Sequence, residues 1–415
     1  MKHDLEKAAR RSDCLPPHPG RFAFTHPAAA PVSGPGSFKD RQPVTKPGSL
    51  SGNGSWRTFC KLLLLCLCFT PACTRGGPIV IGYSNCLAVA SYTQAQMDQI
   101  GQLKWYFAHA SVGEYIMDGI TALHATNASY YQLHGVAATN TPPATTEAGV
   151  IYEHDRGNPG WFTKLDLFKS CVSNGWRYPL VNLALSKFCF VDDAADLSTT
   201  IDYMTARELA YPETVFVYMT IPLETSPNWA NYSRNIFNDG MRDWCRTNNR
   251  ILFDVADIEA HDTNGVLCTF TLSGRVCQNQ WPGYNASGDG GHPDSPYAQK
   301  LLASGFYALA GALMSVDRDS DGMSDGQELI AGTRALDPQS VFKLVSTTKA
   351  VAGNVVLQWN SSSNRLYTLQ RGTSPMAPAS YVNLLVDAPA TPPMNTYTDL
   401  PPKTGSFFYR ISVRQ

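Results

Sequence analysis

The chain of 415 residues lacks an excess of charge of either sign. Its 33 lysines and arginines stand against 34 aspartates and glutamates, which gives a formal net charge of −1. A nearly neutral chain has no overall field to attract nucleic acid or an anionic membrane surface, so we expect neither partner. No two cysteines have the Cys-x-x-Cys spacing, which argues against a zinc site or a thioredoxin-like redox centre.

The amino-terminal part of the chain has no long hydrophobic run either. Positions 1–55 are rich in Pro, Gly, Ser and charge, and they are either a disordered leader or a stretch upstream of the true start codon. Positions 56–73 carry a basic flank, an apolar run too short to span a bilayer, and small residues at Thr70 and Ala72. This pattern indicates a signal peptide. We therefore predict an exported protein, with Cys73 as a candidate lipid-anchor site and 74–87 as a linker.

Six of the eleven cysteines follow Cys73, an even number that suits an oxidising compartment. Cys268 and Cys277 are close in sequence and flank the turn-like segment Leu272-Ser273-Gly274. We predict a disulfide between these two cysteines. The alternative is that several of the six are buried free thiols.

Residues 88–315 alternate short apolar runs with helical patterns, which predicts an α/β domain around a mostly parallel sheet. The expected strands cover 104–107, 180–185, 214–220 and 250–255, and a final helix covers 297–314. After the first strand, apolar residues recur at helical spacing from Val112. Ser111 is therefore expected at the carboxyl end of a strand, where ligands bind in open α/β sheets.

Two segments of this domain carry the residue types of a hydrolase site. Ser111 lies in His109-Ala-Ser-Val-Gly113, and Asp289-Gly-Gly-His292-Pro293 precedes the final helix. A serine hydroxyl needs a base to take its proton, and an acid near that base can orient it. We predict Ser111 as the nucleophile, His292 as the base and Asp289 as the orienting acid.

Each of these residues also has a purely structural interpretation. Ser111-Val-Gly-Glu114 fits a helix capping box, in which the hydroxyl only caps the helix. Asp289 fits a turn residue, with His292 ordering the start of the helix. If Asp289 is not the acid of the site, Asp254 is the next candidate.

The order of the motifs, with Gly157-Asn158 between them, resembles the SGNH/GDSL hydrolase superfamily over about 105–314. The nucleophile block looks like that of a divergent branch with a His-x-Ser-Val-Gly motif. The resemblance implies a flavodoxin-like three-layer sandwich and a Ser-His-Asp triad that needs no cofactor. It also implies an oxyanion hole formed by Ser111 with Gly157 or Asn158.

The chain departs from that superfamily at two places. Ala110 stands where the superfamily has Asp, and no Gly-x-Asn-Asp follows the 180–185 run, which leaves Lys187 as a candidate substitute for the usual asparagine. The resemblance implies an exported esterase that cleaves an acyl ester of a small molecule or a glycan. The alternative is a catalytically inactive binding protein of the same fold, attached to a surface through its carboxyl-terminal module.

A second motif lies within 316–340, where acidic residues have the spacing of a calcium loop. Calcium takes six or more oxygen ligands, and Gly322 permits the sharp turn that such a loop makes. The segment resembles isolated EF-hand-like loops and thrombospondin type 3-like repeats. We predict a structural calcium ion, and the alternative is a solvated acidic linker. The predicted ligands are Asp317, Asp319, Asp321, the Met323 carbonyl, Asp325 and Glu328.

Residues 341–415 alternate apolar and polar residues in short runs separated by turns, which predicts a small β-sandwich. The pattern around Trp359, Tyr367 and Tyr409 resembles immunoglobulin-like or fibronectin-like modules. Such a module either contacts carbohydrate or a cell surface, or is a spacer. We favour the spacer because Trp359 and Tyr367 suit a core.

Overall fold

The computed structural model describes residues 74–349, 353–402 and 404–415. The predicted leader, the signal peptide and Cys73 lie outside these residues. The first eleven strands are β1 (Thr74–Arg75), β2 (Ile79–Ile81), β3 (Trp105–His109), β4 (His134–Ala137), β5 (Val150–Asp155), β6 (Leu183–Ser186), β7 (Val215–Met219), β8 (Ile251–Phe253), β9 (Thr269–Leu272), β10 (Arg275–Gln278) and β11 (Val316–Asp317). The α-helices are α1 (Tyr83–Ala88), α2 (Gln94–Ile100), α3 (Val112–Thr126), α4 (Trp161–Asn174), α5 (Leu197–Ala210), α6 (Trp229–Thr247), α7 (Val255–Ala260), α8 (Pro296–Leu313) and α9 (Asp325–Ala331).

Seven strands form the main sheet in the order β2-β8-β7-β6-β3-β5-β4, and every neighbouring pair is parallel. All residues of β3 and β7 are buried, as expected for strands covered on both faces. The predicted α/β class with a mostly parallel sheet is confirmed. The sheet begins earlier than position 88, because β2 lies within the segment that we predicted as a linker.

Helices cover both faces of the sheet because successive strand residues point to opposite sides. Trp105 and Phe107 of β3 belong to one core, which also takes apolar residues from α3 and α8. Tyr106 and Ala108 belong to a second core, which includes Phe168 of α4 and other residues of α4, α5 and α6. The carboxyl edge of β3 is thereby fixed between two packed layers.

The carboxyl-terminal strands are β12 (Leu344–Lys349), β13 (Val355–Asn360), β14 (Leu366–Gly372), β15 (Val382–Pro389), β16 (Met394–Asp399) and β17 (Phe408–Arg414). They form two three-stranded antiparallel sheets, in the orders β12-β13-β16 and β15-β14-β17. Both sheets contribute to one core of Leu357, Trp359, Tyr367, Leu369 and Ile411. Trp359 and Tyr367 are fully buried, so these two aromatic side chains are core residues, as we expected.

The six cysteines beyond Cys73 carry free thiols in this structure. Cys268 and Cys277 belong to the β9–β10 hairpin, and Ser273 and Gly274 make its turn with positive φ angles. In the hairpin register Cys277 lies opposite Phe270, two positions from Cys268. The two thiols are therefore diagonal neighbours and are not joined as predicted. In 74–349, 353–402 and 404–415, no helix has both the length and the apolar character needed to cross a membrane.

Candidate active site and candidate metal centre

Ser111 occupies the tight turn between β3 and α3. It is the N-cap residue of α3, with φ 55° and ψ −111°, a backbone conformation that non-glycine residues seldom adopt. Such conformations cost free energy and are often found at functional sites. The Ser111 side chain makes no capping hydrogen bond to the helix, so the capping-box interpretation is not realised.

Gly113 leaves room for the side chain of His109. A Cβ atom at position 113 would lie 2.3 Å from His109 Cβ and 2.6 Å from its Cγ. The His109 ring is buried, and its Nε2 is 2.7 Å from Glu153 Oε2 on the neighbouring β5. The glycine of the His-x-Ser-Val-Gly block therefore permits close packing beneath the turn that carries Ser111.

The loop before α8 fixes Asp289 and His292 relative to each other. Asp289 Oδ1 accepts hydrogen bonds from the backbone N–H groups of Gly291 and His292, both at 3.0 Å, and from Asn285 Nδ2 at 2.6 Å. Burial raises the pKa of Asp289, but these bonds and the bond from the His292 ring outweigh it and hold the pKa well below its usual range. The Thr225 N–H, which donates to the Gly290 carbonyl at 2.8 Å, anchors the same loop.

The structure brings Ser111, His292 and Asp289 together in one relay. Ser111 Oγ is hydrogen-bonded to His292 Nε2, and His292 Nδ1 is hydrogen-bonded to Asp289 Oδ2. With a proton on Nδ1, His292 donates to Asp289 and accepts from Ser111. Asp254 has both carboxylate oxygens bonded to Arg242 at 2.6 and 2.8 Å and makes no hydrogen bond to His292 among the described residues.

Aromatic rings enclose the His292 imidazole on two sides. The Phe190 ring meets it edge-on with centroids 5.1 Å apart, and the Tyr115 ring lies at 5.2 Å. Position 291 needs glycine because a Cβ atom there would lie 2.6 Å from the Phe190 ring. The His292 side chain remains 22% exposed, so the relay is accessible from solvent.

Two of the three predicted oxyanion donors remain available in the structure. In the described part of the chain the Ser111 backbone N–H has no hydrogen-bond acceptor. The Gly157 N–H is engaged, because it donates to Asp155 Oδ1 at 3.0 Å. Asn158 Nδ2 carries two N–H groups, and its one acceptor among the described residues is Cys189 Sγ, 3.7 Å away. The donors that fit this role are therefore Ser111 and Asn158, without Gly157.

Cys189 follows β6 and borders Ser111. Burial raises the pKa of its thiol, but the Lys187 ammonium and the Ser111 hydroxyl lower that pKa below its usual value. Lys187 is buried, and its Nζ donates to the Phe188 carbonyl at 2.7 Å. We suggested Lys187 as a substitute oxyanion donor, but this bond directs its ammonium to the backbone of its own loop.

Arg156 and Lys187 are buried basic side chains that directly follow β5 and β6. Arg156 bonds to Ser186 Oγ at 2.9 Å and to two backbone carbonyls, and it pairs with no carboxylate among the described residues. Burial lowers its pKa to about 10. Lys187 is also buried, and burial raises the pKa of its neighbour Glu259. Burial therefore disfavours the charged forms of Arg156, Lys187 and Glu259.

The acidic loop between β11 and α9 places three carboxylates together. Ligand oxygens of Asp317, Asp319 and Asp321 all lie within 4.8 Å of one another. Glu328 is fully buried, and its Oε2 has no hydrogen-bond partner, as is also true of one oxygen each of Asp319 and Asp321. Burial and neighbouring carboxylates raise the pKa of Asp319 to about 6 and that of Glu328 to about 10.

Asp325, one of the predicted calcium ligands, is engaged by Arg318. Asp325 Oδ1 accepts from the Arg318 backbone N–H at 3.1 Å, and Asp325 Oδ2 is hydrogen-bonded to Arg318 Nε. This ion pair is buried and engages both oxygens of Asp325. The Met323 backbone N–H donates to Asp321 Oδ1 at 2.8 Å. Gly322 has φ 104°, as the predicted sharp turn requires.

The sequence does not predict three residues that contact members of the candidate site. Asn285 holds Asp289 from four positions upstream, and Lys164 and Asp192 form a buried ion pair next to Asn158. The sequence assigns none of these three residues a role in the site. Comparison with known proteins assigns none of these residues, because no family model matches the chain and no curated protein sequence matches it.

Proposed function

We propose that the protein is a serine hydrolase of the SGNH/GDSL type that cleaves acyl esters. The observation that carries this proposal is the relay from Asp289 through His292 to Ser111 at the carboxyl end of β3. A parallel sheet covered by helices on both faces supports the flavodoxin-like three-layer architecture that the resemblance implies. The pKa of Asp289 lies well below its usual range, which keeps the carboxylate ionised and supports its role as the orienting acid.

In the proposed reaction, His292 Nε2 takes the proton of Ser111 as Oγ attacks the ester carbonyl carbon. The negative charge on the carbonyl oxygen is stabilised by the Ser111 N–H and the Asn158 amide. Collapse of this intermediate expels the alcohol, which receives the proton from His292, and leaves an acyl-serine. His292 then deprotonates water, and the attack of that water releases the acid and restores Ser111.

The proposed substrate is an acyl ester on a small molecule or a glycan, and no catalytic cofactor is required. The side chain of Asp289 is 41% exposed and that of His292 is 22% exposed. An ester on a larger molecule can reach such an open site. Export, inferred from the sequence of 56–73, would place the enzyme near extracellular glycans.

The proposal is tested by hydrolysis of p-nitrophenyl acetate with the full chain and with Ser111→Ala. We expect the substitution to remove nearly all of the rate, with the circular dichroism spectrum unchanged. Equal rates would overturn the assignment of Ser111. No hydrolysis of this or of longer acyl esters by the wild type would favour the inactive binding protein of the same fold.

We further propose that the acidic loop holds a structural calcium ion. The residues fit a hard cation, because Asp319, Asp321 and Glu328 each leave a buried carboxylate oxygen without a partner. Asp317 lies in one group with Asp319 and Asp321, although its oxygens also accept from the Ser320 and Gly322 N–H groups at 2.7 and 2.9 Å. A bound cation would offset the repulsion among these carboxylates and stiffen the segment between the two folded parts.

A further inference from the structure

We infer that Lys164 and Asp192 are positioning residues that hold the Asn158 amide in place as an oxyanion donor. This inference rests on the proposed function and deepens it. Both residues lie outside the triad, in α4 and in the loop after β6, and neither would contact substrate. They act through Asn158, which lies in the loop after β5.

Lys164 determines which way the Asn158 amide faces. Its ammonium is fully buried, and Nζ lies 2.9 Å from Asn158 Oδ1. An ammonium group only donates hydrogen bonds, so it accepts no contact from the NH2 end of an amide. The amide oxygen therefore faces Lys164, and Nδ2 faces Cys189, whose Sγ is 3.7 Å away.

Asp192 fixes this arrangement to the loop that borders Ser111. Its Oδ2 accepts a hydrogen bond from the Cys189 backbone N–H at 2.7 Å and from Lys164 Nζ. The side chains of Lys164 and Asp192 are 0% and 3% exposed. One carboxylate thus joins α4, the Asn158 amide and the Cys189 segment through short polar contacts.

The arrangement has a chemical consequence for the oxyanion. A donor is effective when it is already oriented at the position where negative charge develops. A cation on the amide oxygen also polarises the amide, and hydrogen bonds in such a chain strengthen one another. Without these contacts Asn158 would be an exposed side chain on a loop. Its amide could then rotate to present either its oxygen or its nitrogen to the oxyanion.

The alternative is that the ion pair serves folding alone. A buried pair that loses one partner leaves an uncompensated charge, which is strongly destabilising, whereas replacement of both partners by neutral groups is often tolerated. The test therefore removes both charges together, in the variant Lys164→Met/Asp192→Asn. The matched variants are Asn158→Ala and the triple variant that combines all three substitutions.

The experiment measures kcat and KM for p-nitrophenyl acetate with the four proteins, at a temperature where circular dichroism shows each to be folded. Loss of one oxyanion donor typically lowers kcat by about 100-fold or more. We expect a fall of that order for Asn158→Ala and a comparable fall for the pair variant, with KM nearly unchanged. The triple variant should be no slower than Asn158→Ala, because Lys164 and Asp192 have nothing left to position.

Two results would overturn the inference. One is a pair variant with the kcat of the wild type, and the other is a triple variant whose loss is the product of the two separate losses. If the pair variant does not fold, Lys164→Gln/Asp192→Asn replaces it, since an amide N–H can still donate to Asn158 Oδ1; its kcat should then remain above that of Asn158→Ala. Ser111→Ala is measured in parallel, because an unaffected Ser111→Ala rate contradicts the proposed function itself, whatever the pair variant does.

Discussion

Ser111 Oγ is hydrogen-bonded to His292 Nε2 across 181 positions of the sequence. The contact forms because the loop before α8 returns to the carboxyl end of β3, next to the turn that holds Ser111. Ser111 adopts a positive φ angle at this point. The turn and the loop together set the geometry of the site, and substitutions in either should affect the rate more than they affect substrate binding.

We predict that Gly113→Ala impairs both stability and activity. The new methyl group would lie 2.3 Å from His109 Cβ, and overpacking of this kind typically costs about 1–3 kcal/mol in the free energy of unfolding. Displacement of the first turn of α3 also moves Ser111. Urea unfolding and ester hydrolysis measure the two effects.

Gly77→Ala is the matched control for Gly113→Ala, because a Cβ atom at position 77 meets nothing within 4 Å. Its free energy of unfolding should stay within about 0.5 kcal/mol of the wild type. If the free energy of unfolding of Gly113→Ala matches that of this control, position 113 has room for a methyl group beside His109.

We predict that Asp289→Asn lowers kcat by roughly three to four orders of magnitude, as removal of the orienting acid does in other triads. The asparagine amide can present an N–H to His292 Nδ1, which favours the tautomer that protonates Nε2 and removes the acceptor for Ser111. KM should change little. Steady-state kinetics on p-nitrophenyl acetate decide the point, and a kcat within tenfold of the wild type would assign the acid to another residue.

The depressed pKa of Asp289 also predicts a pH dependence of stability. An aspartate in an unfolded chain titrates near pH 3.9, and in the folded protein the carboxylate stays ionised to lower pH. The contribution is therefore fully present above about pH 5 and is lost as the pH falls through the folded pKa. The difference in unfolding free energy between the wild type and Asp289→Asn should shrink between pH 5 and about pH 2, as measured by urea unfolding. A constant difference would show that the hydrogen bonds to Asp289 do not favour its charged form.

The sequence predicts the strands in the middle of the sheet, β8, β7, β6 and β3, and misses those at both edges. β3 and β7 consist entirely of buried residues, so their apolar runs are evident. β2 has only three residues, and β5 ends in Glu153-His154-Asp155. A short strand, or one with a polar end, depends on its neighbours in the sheet, and no local pattern reveals those neighbours.

The same limit applies to the site. The three residues of the proposed triad occupy motifs whose order along the chain can be interpreted, and the structure brings them together. Lys164 and Asp192 approach Asn158 only through the packing of α4 against the loop after β6. The predicted Cys268–Cys277 bridge also depends on register: closeness in sequence suggested a bond, but the hairpin makes the two residues diagonal neighbours.

Removal of calcium should lower the thermal stability of the protein. A ligand that binds only the folded state at 100 times its Kd stabilises it by about 2.7 kcal/mol. We expect the melting temperature to fall in chelator and to recover with added calcium. In Glu328→Gln the response to calcium should be weaker, because one of the orphaned buried carboxylates is lost.

Asp325→Asn is the matched control in the acidic loop. Asp325 pairs with Arg318, so its substitution should lower the melting temperature with and without calcium while most of the calcium response is kept. A melting temperature that chelator and calcium leave unchanged would identify the loop as a plain acidic linker.

Covalent labelling tests whether Ser111 is a nucleophile that is activated by His292. A fluorophosphonate transfers its phosphonyl group to an activated serine with loss of fluoride, and mass spectrometry of the digested protein locates the adduct. We expect a single adduct on the peptide that contains Ser111, no adduct in Ser111→Ala, and strongly reduced labelling in His292→Ala. Absence of an adduct on Ser111 in the folded wild-type protein would show that Ser111 is not an activated nucleophile. Equal labelling of Ser111 in His292→Ala would show that His292 does not activate it.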